Sequence, residues 1–545
     1  MVLRTVKQSI SIGHSLKADL QAAARLAEFR DLRARGALCT EVTEQLANEA
    51  ASEFLAYYRA RGEYLGDAIT LLGEIATLED PCLSQPGQRA TFPLLVERLS
   101  DSFDPAYGDL YDRAFAQMIE ECRRLPAAAD LDAALRRFGL ATERDLLERK
   151  ARLRLRPPMA AAEEQKKVRK VLVLSRVTLG ADVAITSVAL QKARQVFPHA
   201  ERVLLGPAKL GELFGGDTLL RIRDVGYRTA GGLLDRLRNW LPLLAAVESE
   251  IKGFPAGEVV LLDPDSRLLQ LGLLPALPNE SNYFFFESRR FGEGSPASLS
   301  ELTLGWLNEQ FGAGSPILPA VHLRKSDRKF AQALCSSLRK GGKEGQGGKE
   351  GQGGQKGQPS QGGSRRLVAM SFGVGGNAEK RLPDPFERDL LRGLLDEGCT
   401  VLLDKGAGAE EVERATRLVE DAKAGGVPVL EVGSDGVWPI VEDESLRFRL
   451  IAWHGGIGAF SALTAECDEY VGYDSSGQHV ASALGVPTIS IFSRVAPEVF
   501  RNRWKPTGPG VAKIVSELDS DGVVRPMAAI CEEVMQRHRE IAANR

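Results

Sequence analysis

Two doubly wound α/β lobes preceded by an all-α region is the architecture this sequence predicts, and three observations predict it. The first 155 residues carry apolar positions at helical spacing; from Val168 onward, β-branched and leucine runs alternate with amphipathic segments; and a Gly/Lys/Gln-rich tract divides that alternating part in two. At 545 residues the chain exceeds what one hydrophobic core can serve, so several domains are expected. Hydrophobic residues at 43% and charged residues at 26% are near soluble averages. A net charge of -3 offers no general attraction to a polyphosphate backbone, which argues against a nucleic-acid partner.

Residues 1–155 are expected to form a helical domain. Val42, Leu46, Ala50, Phe54 and Tyr58 recur every four positions and draw one stripe along a helix that Gly62 stops, while Asp130 is placed to cap a helix that Gly139 ends. No catalytic constellation falls in this region, whose protein partner the sequence does not name. Residues 156–167, opened by Arg156-Pro157-Pro158, read as a linker. The first lobe spans 168–340. Val168–Ser175 is an unbroken apolar strand of the kind covered on both faces, Asp182–Val196 a helix, Arg202–Gly206 the next strand, and Gly257–Asp263 another. Residues 341–364, with three near-perfect hexads of Gly, Lys, Glu and Gln, cannot bury enough apolar surface to fold and read as a disordered insertion. The second lobe spans 365–545, with strands at Leu367–Phe372, Cys399–Leu403, Pro428–Val432, Glu469–Tyr473 and Thr488–Phe492 and a closing C-terminal helix.

In open parallel sheets, ligands bind beyond the carboxyl ends of the strands, where helix N-termini offer unpaired N–H groups. Three segments have that strand-loop-helix context. Leu174–Asp182 places Asp182 at the mouth of a strand, either as a general base for an attacking hydroxyl or as a helix cap. Ser371–Pro383 contains Gly375 and Gly376, which let backbone approach a phosphate, and Lys380, which adds a point charge. Asp474-Ser475-Ser476-Gly477-Gln478-His479 follows a strand with a turn of small residues whose amides are free, and puts His479 within reach of a phosphate or sugar.

In this order the three segments resemble glycosyltransferase family 9, the ADP-heptose:lipopolysaccharide heptosyltransferases and their relatives, over residues 168 to 510. Leu179-Gly180-Ala181-Asp182 is similar to the family's Gly-Asp turn with one alanine interposed. Gly375–Pro383 is similar to its Lys-Arg-Trp-Pro segment, with Leu382 in the tryptophan's place. Asp474–His479 followed by Ala481–Thr488 is similar to its Asp-Ser-Gly-Pro-Met-His motif and keeps the Asp-to-His spacing. The resemblance implies a GT-B fold and inverting transfer, with neither metal nor cofactor, from a nucleotide-diphosphate sugar to a glycan or lipid-linked acceptor of the cell envelope. It further implies a base at Asp182, donor phosphates held by Lys380, the Ser475–Gly477 turn and His479, and a donor ribose met by Glu410 or Glu411.

Two other readings compete. Asp263-Pro264-Asp265 is a DxD at a strand end that could hold a divalent ion on a diphosphate, although the same residues make an ordinary turn. A non-catalytic nucleotide-sugar-binding protein using the helical domain for docking is the alternative function. Neither lobe opens with GxGxxG, which disfavours a nicotinamide enzyme. Seven scattered cysteines without CxxC spacing, and no apolar run of the roughly 18 residues a membrane span needs, predict a cytoplasmic protein that meets the inner membrane only peripherally.

Overall fold

The computed structural model describes residues 19–228, 231–340, 365–375, 377–433 and 448–544. The expected insertion at 341–364 therefore lies outside the described residues.

The leading region is helical from 19–34 through Glu143–Arg154. Its second helix, Thr40–Arg61, buries Leu46, Ala50 and Phe54, and stops at Gly62, whose φ of 70° lets its N–H turn back to the Tyr58 carbonyl. Asp130 does not cap. The helix spans Ala129–Arg137 with Ala128 as N-cap, and Asp130 sits inside the first turn, paired with Arg238 at 3.2 Å; Gly139 follows in the left-handed conformation. Elsewhere the capping chemistry is regular, with Asp80 and Asp104 each capping a helix that starts on proline and Thr142–Asp145 forming a reciprocal capping box.

The first sheet is all parallel, in the order β3-β2-β1-β4-β5: β1 Lys170–Leu174, β2 Glu201–Gly206, β3 Leu220–Asp224, β4 Val259–Asp263 and β5 Tyr283–Phe285. Alternation along its central strands sends side chains to two cores. Leu172, Leu174, Val203, Leu205 and Leu261 join Phe54, Leu72, Phe115 and Leu135 of the helical region in one continuous cluster, while Val171, Val173, Leu204 and Val260 face Val183, Val188 and Trp306. The helical region is thus packed as one layer of the first lobe. Arg149 pins it there, donating to Glu280 at 2.7 Å and to the Gly272 carbonyl at 2.8 Å. Between the two, the linker carries a short helix, Ala162–Gln165.

The second sheet runs β12-β11-β10-β6-β7-β9-β8, again all parallel: β6 Leu367–Ser371, β7 Thr400–Asp404, β8 Val429–Gly433, β9 Leu450–His454, β10 Glu469–Tyr473, β11 Thr488–Phe492 and β12 Ala512–Ser516. The closing helix, Met527–Ala543, lays Ile530, Val534, Met535 and Ile541 on this lobe. Its His538 is fixed between the Cys399 thiol at 3.5 Å and the Glu469 carboxylate at 2.9 Å. Each sheet reverses its winding direction once, between β1 and β4 in the first lobe and between β6 and β10 in the second, and those are the points where doubly wound sheets leave a crevice for ligands. Among the described residues no helix is long and apolar enough to cross a membrane, and all seven cysteines are free.

Candidate active site

Asp182 follows β1 at the first lobe's reversal point, but it neither caps the helix nor opens to solvent. The helix begins at Leu179 with Thr178 as its N-cap, then continues as a π turn over Asp182–Thr186 before resuming at Ser187. The π turn, which holds one more residue than an α turn, begins directly after Ala181. The Asp182 carboxylate is fully buried and accepts three hydrogen bonds, from the Arg176 N–H at 2.7 Å, Ser175 Oγ at 2.8 Å and Thr186 Oγ1 at 2.8 Å. All three donors belong to its own lobe. Burial pushes the carboxyl up to about 6, against the hydrogen bonds, which favour the ionised form.

The second lobe assembles its candidate residues more openly. Lys380 comes from the loop after β6 and Asp474 from the end of β10, neighbouring strands that flank the reversal point, and the two meet at 2.7 Å. Asp474 also accepts from Gln478 at 2.7 Å, and Gln478 in turn is bonded by Ser490. Ser475 is the N-cap of the Ser476–Ala483 helix and lends its side chain to no cap, so the first amides of that helix remain available to a ligand. Gly477 has no room for a side chain, since a Cβ there would stand 2.1 Å from the Tyr470 hydroxyl. His479 is buried against Trp504, ring centroids 5.9 Å apart. Burial pushes its imidazole down to about 4 against the pull of Asp474, so at neutral pH it offers a neutral N–H rather than a positive charge.

The glycine-rich loop is only partly free. Gly375 adopts φ 64°, a left-handed turn suited to glycine, and Gly376 lies outside the described residues. Glu411 already uses the amides near it, accepting from Val374 at 2.8 Å and Gly375 at 3.2 Å through one oxygen and from Ala407 at 3.2 Å through the other. Burial raises its carboxyl, but these backbone bonds outweigh it and hold the group below its ordinary range. Glu411 therefore braces the loop, while its neighbour Glu410 is exposed, 3.9 Å from Arg381. Leu382, in the tryptophan's place, is buried and donates its N–H to the Tyr473 hydroxyl at 3.3 Å.

The two reversal points touch. A Cβ on Gly180 would lie 3.2 Å from both the His479 ring and Ser476 Cα, so the turn before Asp182 rests directly on the helix start that follows Asp474. Arg503 fastens the lobes beside this contact, donating to the carbonyls of Gly292, Ser295 and Ala297 at 2.6, 2.9 and 2.9 Å. Asp263 and Asp265 of the DxD are taken up by protein donors. Asp263 accepts from the Tyr283 hydroxyl at 2.6 Å, and Asp265 pairs with Arg289 at 2.5 Å and Arg176 at 3.5 Å. Sequence reasoning passed over Arg503 and the pairing of Arg176 and Arg289 with Asp265, because those partners lie tens to hundreds of residues apart, and it gave Gln478 no role although its partner Asp474 is only four residues away. A cavity of about 420 Å³ beside Arg194 and His322, and one of about 260 Å³ beside Arg156 and Trp306, lie in the first lobe outside this contact.

The model of glycosyltransferase family 9 (heptosyltransferase) matches residues 445–521, which contain β9 through β12 and the Asp474–His479 segment. The resemblance read from the sequence is borne out by that match. Solved structures similar to this chain include a glycosyl transferase family 9 protein from Veillonella parvula DSM 2008, 14% identical over 69% of this chain and 98% of that one, TM-score 0.45. They also include E. coli ADP-heptose lps heptosyltransferase II, 15% identical over 69% and 99%, TM-score 0.40, and E. coli heptosyltransferase WaaC with ADP, 15% identical over 68% and 99%, TM-score 0.41. No curated protein matches the chain.

Proposed function

We propose, with the family 9 glycosyltransferase match of residues 445–521 as premise, that this chain transfers a sugar from a nucleotide-diphosphate donor to an acceptor hydroxyl. One observation carries the reading: Lys380 and Asp474, 94 residues apart, meet at the reversal point of the second sheet beside the free amides of a helix start. A diphosphate entering there displaces Asp474 from Lys380 and takes the amides of Ser476 and Gly477, with the neutral His479 as a further donor. These fixed dipoles and the ammonium stabilise the charge that builds on the leaving diphosphate.

In the transfer, the acceptor oxygen forms its bond to the anomeric carbon from the face opposite the donor phosphate. The carbon–oxygen bond to phosphate breaks, its electron pair leaving with the nucleoside diphosphate. Asp182 is the proposed base for the acceptor proton. With its carboxyl near 6, it is ionised at neutral pH and close enough to the working range to serve. Its three bonds to Ser175, Arg176 and Thr186 mean that the loop after β1 must move for an acceptor to reach it, which couples chemistry to opening of the crevice. The proposed setting is the cytoplasm, with a glycan or lipid-linked acceptor of the envelope.

A second reading, a nucleotide-sugar-binding protein without transfer, is favoured by the same closed environment of Asp182. Thermal-shift screening against ADP-, GDP-, UDP- and dTDP-sugars tests the site, and release of nucleoside diphosphate from the stabilising donor separates the two readings. At least one donor should raise the unfolding midpoint of the wild type and not that of Lys380→Ala. If none does, or if Lys380→Ala keeps the shift, the donor site is wrong; binding without release selects the second reading.

A further inference from the structure

The cavity of about 260 Å³ lies at the edge strand β5, where the helical region, the linker and the first lobe meet. One helix face supplies part of its wall: Trp306, Glu309 and Gln310 stand three and four residues apart on the Leu299–Phe311 helix. Arg156 enters from the linker, its guanidinium 3.6 Å over the Phe284 ring, and donates to the Tyr283 carbonyl at 3.3 Å. Phe291 and Trp306 both line the cavity and pack on Phe286, with ring centroids 5.8 and 5.1 Å from it. Arg154, from the last helix of the helical region, completes the wall.

The charges on this cavity balance, but two of them have no partner. Arg154 is held by Glu287 and Asp112, at 2.9 Å each, and Arg290 by Asp109. One charge of each sign is left, on Arg156 and Glu309. Among the described residues neither forms an ion pair, and neither the Gln310 amide nor the N–H of Trp306, a residue only 6% exposed, makes a hydrogen bond. Burial pulls the Arg156 guanidinium down to about 10, against the charge of Glu164. Polar groups so placed are ordinarily paired, so a guanidinium, a carboxylate, an amide and an indole N–H left open on one aromatic-walled hollow fit a ligand rich in both donors and acceptors. A balanced pair of charges gives no preference for an anion, and aromatic faces attract the C–H side of a sugar ring. The volume lies below the roughly 300 Å³ at which drug-sized pockets begin, which suits one ring rather than a chain of them.

We propose that this cavity is a saccharide subsite, separate from the transfer crevice, that holds one neutral sugar of the acceptor glycan. Glu309 accepts from sugar hydroxyls, Gln310 both donates and accepts, Arg156 and the Trp306 N–H donate, and Phe291 takes the apolar face of the ring. The loop after β5 runs from Phe291 directly into Gly292, Ser295 and Ala297, the carbonyls that Arg503 grips, so one short loop joins the subsite to the contact between the lobes. The helical region then has a task, since Arg154 builds part of the sugar's wall. The subsite's role in the acceptor rests on the transfer reading above; its hold on a sugar does not.

The experiment is saturation-transfer NMR of the full chain with the methyl glycosides of glucose, galactose, mannose and N-acetylglucosamine, and with methyl glucuronide. At least one neutral glycoside should bind the wild type in the millimolar range, more tightly than the glucuronide. Replacing Glu309 and Gln310 together by alanine should weaken that binding roughly tenfold or more, and Trp306→Phe, which keeps a ring but removes the N–H, about threefold. Because neither Glu309 nor Gln310 bonds to the protein through its side chain, the double variant should keep the wild-type unfolding midpoint, measured alongside. Lys380→Ala should bind the glycoside as the wild type does. The inference is overturned if no neutral glycoside binds, if the glucuronide is preferred, if the double variant binds normally, or if Lys380→Ala abolishes binding and so places the sugar in the crevice. None of those results touches the nucleotide shift that tests the donor site. A protein that holds the glycoside but is stabilised by no nucleotide sugar keeps the sugar site and loses the transfer reading.

Discussion

Replacing Asp182 with asparagine should stabilise the protein above neutral pH while abolishing transfer. The carboxyl is fully buried and its folded value of about 6 stands above an ordinary 3.8. At about 1.4 kcal/mol per tenfold change in proton affinity, that gap corresponds to on the order of 3 kcal/mol. Below pH 3.8 the group is protonated in folded and unfolded chains alike, and the stability linked to its raised value is fully present. As pH rises through about 6 the folded chain must ionise a buried group, and that stability is lost. An asparagine keeps one oxygen for the Arg176 N–H and Thr186 Oγ1, and its amide turns to Ser175 Oγ as a donor, so the loop stays tied at every pH. Thermal unfolding midpoints of wild type and Asp182→Asn, taken from pH 4 to 8, should therefore diverge in favour of the variant between about pH 4 and 6 and stay apart above that, with nucleoside diphosphate release measured on the same samples. Midpoints that stay parallel across the range would refute the electrostatic argument, and a variant that still transfers would refute the base.

Other consequences are as direct. His538 is held protonated: burial alone would lower it, but its bonds to Cys399 and Glu469 and the Glu469 charge raise it from 6.5 to about 9. The stability it supplies is complete below pH 6.5 and lost as pH rises through about 9, so the midpoint deficit of His538→Gln should be largest near pH 6 and shrink by pH 9.5. Gly180→Val should wedge the lobes apart at Ser476 and His479, enlarging the radius of gyration seen by X-ray scattering and weakening donor binding with little loss of secondary structure. Arg503→Ala removes three bonds across the lobes and should leave the segment around residues 292–298 more sensitive to limited proteolysis, with each lost bond costing ~1 kcal/mol. Unchanged cleavage would show that Arg503 does not hold the closed form.

What was legible in the sequence mostly followed burial. The strands buried on both faces, β1, β2, β4, β6, β7, β10 and β11, read directly as apolar runs, and the half-exposed β8 was read as well. Strands β3, β5, β9 and β12 were not: β3 is a mostly exposed LRIRD, β5 has three residues, β12 is mostly half-exposed, and β9, though buried over Leu450–Trp453, opens directly after Arg449. At the site, Lys380, Asp474 and His479 were found from loop chemistry and do come together. The neutrality of His479 and the occupation of the Gly375 amide by Glu411 come from packing against residues far along the chain, which no local pattern encodes, whereas Asp182 is tied by Ser175, Arg176 and Thr186, within seven residues of it, once the chain turns through its π turn. The helical region's stripes announced its helices but not their packing, because the core they share includes leucines of β1, β2 and β4 that lie tens to hundreds of residues later.

That shared core ties the region's motion to its neighbour. With Leu172, Leu205 and Leu261 lodged among its side chains, the helical layer cannot swing independently of the first sheet, so when the crevice gapes both must travel as one rigid piece, away from Lys380.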